Sequence, residues 1–263
     1  MGLSDHFGIY RRSCLTVCAA GRIIYEGPKG GGEMSEPVSE VILNQELIET
    51  ITNDERIKRF VDVSDSYMAL VGYTRHGTNH VKLVARRAQR LALELGYGQD
   101  AGNMAYLAGY VHDIGNFMGR EHHGPNSALL VYPILLEYNL RFEDIVKIMS
   151  AVANHEEEIG EPVSEIAAFL VLADKSDVHR NRVRAIHDPE NDIHDKVNLA
   201  TQEARLITCR DDRIIELRVD IDTEIASVME YFECFTDRMV MSRRAAGFLG
   251  YKFRLVINGQ DMS

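Results

Sequence analysis

From Val38 to about Val183, apolar residues recur at the spacing of helices, and strand signals are nearly absent. Val41, Ile42, Ile48 and Ile51 open the pattern. Leu83, Val84, Ala88, Leu91 and Leu95 then share one face of a predicted helix over 79–95, which Gly96 stops. Asp100 is the expected N-cap of the next helix, whose inner face carries Met104, Ala105, Ala108 and Val111 and which Gly115 ends. Further helices are predicted over 126–138, 142–156 and 163–177.

After a polar stretch with Pro189, the period changes from 3.6 to 2. Ile215, Leu217, Val219 and Ile221 alternate with Glu216, Arg218 and Asp220, as in a half-buried strand. A hairpin partner is expected at 205–209, an amphipathic helix with Val228, Phe232, Phe235 and Met239 follows, and Tyr251, Phe253, Leu255 and Ile257 alternate again. The expected fold is mainly α: a helical bundle over 36–184, a linker over 185–196 and a small α+β unit of ββαβ order over 197–263. So small a unit needs a partner surface, either the bundle or the same unit of a second copy in a homodimer. Residues 1–35, with a short apolar stretch after Arg12 and a Gly/Pro tract at 27–32, read as a disordered leader or as an extension upstream of Met34.

Composition narrows the partners. The 263 residues carry a formal net charge of -11, which repels nucleic-acid backbones, and no apolar run reaches the roughly 18–20 residues of a membrane span. Cys14, Cys18, Cys209 and Cys234 are too few and too scattered for a disulfide framework, so a reduced cytoplasmic chain is expected.

The chemistry lies in histidines and carboxylates on apolar helical faces. His112 follows Ala108 by four residues, His155 follows Val152 by three, and Asp174 follows Leu170 by four, so each points inward. His80 opens a helix, and His122 and His123 precede one. Singly, an inward histidine is ordinarily a hydrogen-bonded core residue. Together, spread over five predicted helices, the set points to metal, since an inward carboxylate is costly unless paired or metal-bound. Histidine and carboxylate donors without thiolate suit Fe, Mn, Zn, Co or Ni. Asp113 is the natural bridge, one oxygen to each of two ions.

On these residues the sequence resembles the HD superfamily of metal-dependent phosphohydrolases. The matching stretches are Asn79-His80-Val81-Lys82-Leu83-Val84-Ala85, Val111-His112-Asp113-Ile114-Gly115, His123 with Ser127-Ala128, Asn154-His155-Glu156 and Leu172-Ala173-Asp174. The resemblance covers about residues 70–180. It implies His80, His112, Asp113 and Asp174 as the minimal metal set, with His123 and His155 as the further ligands of the two-metal subgroup. Relatives that cleave cyclic dinucleotides carry Lys where this chain has Asn116, a His pair where it has Asn154-His155, and a Gly-Tyr-Pro signature that is missing after His155; that substrate class is therefore disfavoured.

The expected function is hydrolysis of a small phosphoester, such as a nucleotide, by a metal-activated water at a site holding two divalent transition-metal ions, Fe or Mn first among them. Asp113 is placed at the centre of catalysis, with His76 and His122 as candidate acids; His76 is also a candidate ligand. Arg120, Asn116, Lys175, Arg180 and Arg182 are candidate substrate contacts, with Arg184 close by. Two other readings stay open: a di-iron oxygenase built on the same ligands, and a regulatory ligand-binding module with a non-catalytic site.

Overall fold

In the computed structural model of the chain, residues 40–184 and 192–263 are described, together with two short antiparallel strands, β1 (Thr16–Val17) and β2 (Ile23–Ile24). Apart from those strands, the leader expected over 1–35 lies outside the described residues.

Helix starts are set by local hydrogen bonds. Asn44 accepts from Leu47 N–H at 2.8 Å to open α1 (Gln45–Thr52), and Asp54 accepts from Arg56 N–H to open α2 (Glu55–Leu70). Helix α3 (Thr78–Glu94) buries His80, Val81, Val84, Ala85, Ala88, Leu91 and Ala92, one stripe at helical spacing, and ends before Gly96 at φ +86°. Helix α4 (Gly98–Val111) starts two residues before Asp100, which lies in its first turn and is not the cap. The chain leaves α4 at His112 and turns through 113–119 to α5 (His123–Glu137), followed by α6 (Phe142–Ala153) and α7 (Glu165–Lys175).

Helix α7 is apolar almost all round, and every residue from Ile166 to Lys175 is buried. It is the central helix, with α3, α4 and α6 against it on one side of the chain's order and a C-terminal helix from the other. That helix, α9 (Val228–Phe248), begins with a capping box between Ser227 and Glu230. Before it come α8 (Ile193–Ala200), β3 (Thr201–Cys209) and β4 (Ile214–Ile221); after it come β5 (Lys252–Ile257) and β6 (Gln260–Asp261). The stretch read as a linker is thus helical from Ile193 onward. Strand order is β3-β4-β5-β6; β3 and β4 pair antiparallel, β4 and β5 parallel across α9.

The mainly helical bundle with a small C-terminal sheet is the fold expected from the periodicity. The described residues from 40 onward form one compact unit whose apolar core runs from Leu43 to Ile257. Two arginines of α3 reach the outer edge of the sheet: Arg87 Nη2 donates to Ala204 O and Arg90 Nη2 to Leu206 O, each at 2.6 Å. No helix among the described residues is long and apolar enough to cross a membrane.

The crossing of α3 and α4 depends on Gly109. A Cβ there would meet Ala85 Cα at 2.7 Å and Ala85 N at 2.8 Å, both backbone. Gly109→Ala should therefore cost about 1–3 kcal/mol as an overpacked contact. Gly247→Ala, in α9 with nothing within 4 Å of the added carbon, should leave stability unchanged or slightly raised. Denaturant unfolding of both variants checks the contrast; equal stability would mean that the crossing is not tight.

Candidate metal centre

Six side chains from five helices and their ends converge in the interior. His80 comes from the first turn of α3, His112 from the end of α4, Asp113 from the turn behind it, His123 from the start of α5, His155 from just beyond α6 and Asp174 from the last turn of α7. All six are buried. The turn carrying Asp113 is pressed onto α5 at Gly115, where a Cβ would lie 2.6 Å from His123 O and from Ser127 N; Gly115 N–H donates to Ser127 Oγ at 2.8 Å.

The donors form two nests. In the first, His80 Nε2 lies 3.3 Å from His112 Nε2 and 3.4 Å from Asp174 Oδ1, with Asp113 Oδ2 3.4 Å from His80 and 3.3 Å from His112. In the second, His123 Nε2 lies 2.9 Å from His155 Nε2, with Asp113 Oδ1 3.3 Å from the first ring and 3.8 Å from the second. Asp113 thus turns one oxygen to each nest. The close triples His80–His112–Asp174 and His112–Asp113–His155 have the spacing of metal ligands.

The outer nitrogens explain why the inner ones point inward. His112 Nδ1–H donates to Gly109 O, His123 Nδ1–H to Arg120 O and His155 Nδ1–H to Val152 O, at 2.9, 2.8 and 2.6 Å, in each case to the carbonyl three residues back. His80 Nδ1–H donates to Asp177 Oδ2 at 2.6 Å. A carbonyl or carboxylate can only accept, so all four rings carry the Nδ1 proton outward and present Nε2 to the centre.

These residues fit a divalent cation. Donors held about 2.1 Å from one ion lie about 3.0–3.4 Å from one another, close to the spacings above. Asp113 Oδ2 is buried without a hydrogen-bond partner, a costly state for a carboxylate oxygen unless a cation takes it.

Electrostatics agree. Burial opposes the charge of Asp113, but His112, His123 and His155 hold it well below the usual carboxylate range; Asp174 is likewise held down, chiefly by Lys175. Burial works against a charge on His112 too, yet Asp113 and Asp174 push it up to about 10. Burial, with neighbouring His123 and His112, pushes His155 down to about 4.

The other candidate residues fall in different places. Arg120, its side chain 26% exposed, donates from Nη1 to Asn116 Oδ1 at 3.2 Å and lies 3.2 Å from His123 Nε2 and 3.8 Å from Asp113 Oδ1. Asn116 is fully buried, donates to Asp113 O and accepts from Arg120, so that it steadies that arginine. Lys175 is not a surface cation: it is buried, with Nζ 2.7 Å from Asp174 Oδ2 and 2.9 Å from Glu157 Oε1. Arg182 is buried against Asp177 and His76, while Arg180 is exposed in the adjoining 3-10 turn. Arg184 pairs with Asp65.

His76 is buried next to His80 but is not placed among the ligands. Its Nδ1–H donates to Thr74 O at 2.7 Å and its Nε2 accepts from Arg182 at 3.0 Å, while burial and Arg182 hold its pKa well below the ordinary value. Both of its ring nitrogens are thus engaged within the protein. His122 is exposed, in the left-handed conformation at φ 61°, and lines a neighbouring groove with Met118 and Ile159; the structure does not bring it to the ligands.

Three supporting carboxylates were missed in the sequence. Asp177 orients His80. Glu156 accepts from Gly124 N–H at 2.5 Å and from His122 N–H at 3.2 Å, capping the helix that begins with His123. Glu157 joins Lys175 to Arg238 of α9, whose Nε lies 3.2 Å away. The spacing of Asp177, three after Asp174, was the available signal. Beside this centre lies a cavity of about 470 Å³, lined by neighbours of the donors, Arg120, Glu157, Asp177 and Arg182, from the bundle side and by Asn198 and Arg238 from α8 and α9.

Two outcomes follow. Asp177→Asn removes the acceptor that orients His80 and should weaken metal binding about 10–100-fold with the fold retained, as read by chelator competition and circular dichroism. A proton on His112 Nε2 and a metal ion compete for one lone pair, and His112 is pushed up to about 10. Metal affinity should therefore rise with pH from 6 to 9, by about tenfold per unit where one proton is displaced. A flat profile in calorimetric titrations with Mn would contradict that assignment.

Comparison with known proteins places this centre. Over 220 aligned residues the chain is 26% identical to the uncharacterized protein MJ1020 of Methanocaldococcus jannaschii, an alignment spanning 74% of this chain and 83% of that protein. The family model described as HD domain matches residues 77–178, the segment from the loop before α3 to just past α7 that contributes all six donors. The superfamily is one of metal-dependent hydrolase type. With its helical fold and its ordered His and Asp donors, the segment over residues 77–178 is the part of the chain that matches the HD domain.

Proposed function

We propose that the protein is a metal-dependent phosphohydrolase that cleaves a small phosphoester, a nucleotide among the candidates, with water as the nucleophile and two divalent ions, Fe or Mn first among them, in the two nests. The observation that carries this reading is Asp113, whose two oxygens face separate histidine nests and whose Oδ2 has no other partner. His80, His112, Asp174 and Asp113 would hold one ion, and His123, His155 and Asp113 the other. Bound divalent ions supply charge stabilisation for a phosphoryl group and acidify water near neutral pH.

The chain's own residues do the rest. Arg120, fixed by Asn116 beside the second nest, presents its guanidinium where a phosphoryl oxygen can accept from it. Lys175 balances Asp174 from the side away from the rings. Arg182, held by Asp177 and His76, keeps the wall beside His80 in place. Among the described residues no cysteine belongs to the ligand groups, which agrees with attack by water.

The test is elemental analysis and hydrolysis on the same preparations. About two equivalents of metal per chain are expected, and Asp113→Ala should lose most of it together with at least 100-fold of the Mn-dependent hydrolysis of p-nitrophenyl phosphate or of a nucleotide panel. Metal retained at the parental level in the variant, or metal-loaded parent that consumes oxygen and cleaves no phosphoester, would overturn the reading.

A further inference from the structure

The match to the HD family ends at residue 178, yet the cavity beside the metal centre is walled in part by the chain beyond it. Helix α9 supplies Arg238, which is anchored twice. Its Nε lies 3.2 Å from Glu157 Oε1, and its Cζ stands 5.0 Å from the ring centroid of Phe235, a cation–π contact with a side chain that is itself buried. Among the described residues, neither Nη atom of Arg238 has a hydrogen-bond partner, and neither belongs to the buried unsatisfied atoms. The side chain keeps 20% exposure, on the cavity it lines. A guanidinium held by its Nε and its face, with its outer edge open, is a preorganised fork for a phosphate or a carboxylate.

The same carboxylate ties this fork to the metal centre. Glu157 Oε1 takes both Arg238 and Lys175, and Lys175 Nζ takes Asp174 Oδ2. Arg238, Glu157, Lys175 and Asp174 thus form a chain of two cations and two carboxylates, of which Arg238 and Glu157 reach the cavity. Arg120 lines the cavity as well, from the turn before α5.

We infer that Arg238 is a substrate-binding residue, holding an anionic group of the substrate in the cavity, so that α9 of the C-terminal unit completes the substrate site of the metal centre. The inference rests on the phosphohydrolase reading for the nature of the substrate, but its geometry does not depend on that reading.

Calorimetric titration of the full chain with inorganic phosphate and with pyrophosphate, each with and without Mn, separates the two. In the Mn-loaded parent, binding that needs Mn is expected. Arg238→Met should weaken it about tenfold or more, and Arg238→Lys, which keeps the pairing with Glu157 but not the fork, should weaken it less. Loss for both anions supports contact with the metal-held phosphate; loss for pyrophosphate alone supports contact with a second anionic group. Binding that ignores Mn but falls in Arg238→Met keeps the arginine site and overturns the metal reading. Mn-dependent binding unchanged in both variants, with parental metal content and helicity, overturns the arginine assignment and leaves the metal reading. Absence of binding by the parent in every condition overturns both.

Discussion

A carboxylate sealed inside a helical protein must be paired with positive charge or it will not stay ionised, and the arrangement of this bundle turns on one such group. Asp113 lies at the junction of five helices with one oxygen toward His80 and His112 and the other toward His123 and His155. Burial of a lone carboxylate is strongly unfavourable in a medium of low dielectric, so its surroundings have to be built around it. Small residues do much of that. Ala85 and Gly109 let α3 and α4 approach closely enough for His80 and His112 to share one oxygen. Gly115 lets the turn behind Asp113 touch the start of α5.

Around this core the support is graded. The rings of His112, His123 and His155 are each fixed by the carbonyl three residues earlier, so the segment that supplies each ligand also supplies its restraint. The carbonyl three residues before His80, Gly77 O, already accepts from the His80 and Val81 N–H groups, and His80 uses Asp177 from just beyond α7, which Arg182 then holds. Lys175 and Glu157 continue outward from Asp174 to α9. The metal ligands are thus tied step by step to the C-terminal helix, through contacts that are buried and charged and therefore sensitive to geometry.

What the sequence made legible was whatever is local. Helical spacing placed His112, His155 and Asp174 on inner faces because each sits three or four residues from an apolar neighbour, and alternation at 215–221 placed the central strand. What it hid depends on distant pairings or on a helix without a polar face. Lys175 read as a substrate contact from its place beside Asp174, but that α7 is enclosed on all sides and that its partner Glu157 lies eighteen residues back could not be read locally. His76 looked like a ligand or an acid from its place one turn before His80; only the positions of Thr74 and Arg182 show that both of its nitrogens are engaged. Arg238 gave no signal, since nothing near it in sequence marks it as facing a site 64 residues earlier in the chain, at Asp174.

The two arginines that α3 sends to β3 have a consequence for how the molecule meets others. A strand at the border of a sheet exposes a row of carbonyls that another chain can use to extend the ladder, the commonest route to unwanted β-sheet assembly. Here the outward carbonyls of Ala204 and Leu206 are already taken by guanidinium groups, and Arg87 is further fixed to Ser176. An incoming strand would have to displace charged donors anchored in the bundle before forming its first bond. The opposite border, β6, is only two residues long. The sheet is thereby shielded at one border and cut short at the other, which guards a nine-residue strand, β3, against growth into fibres.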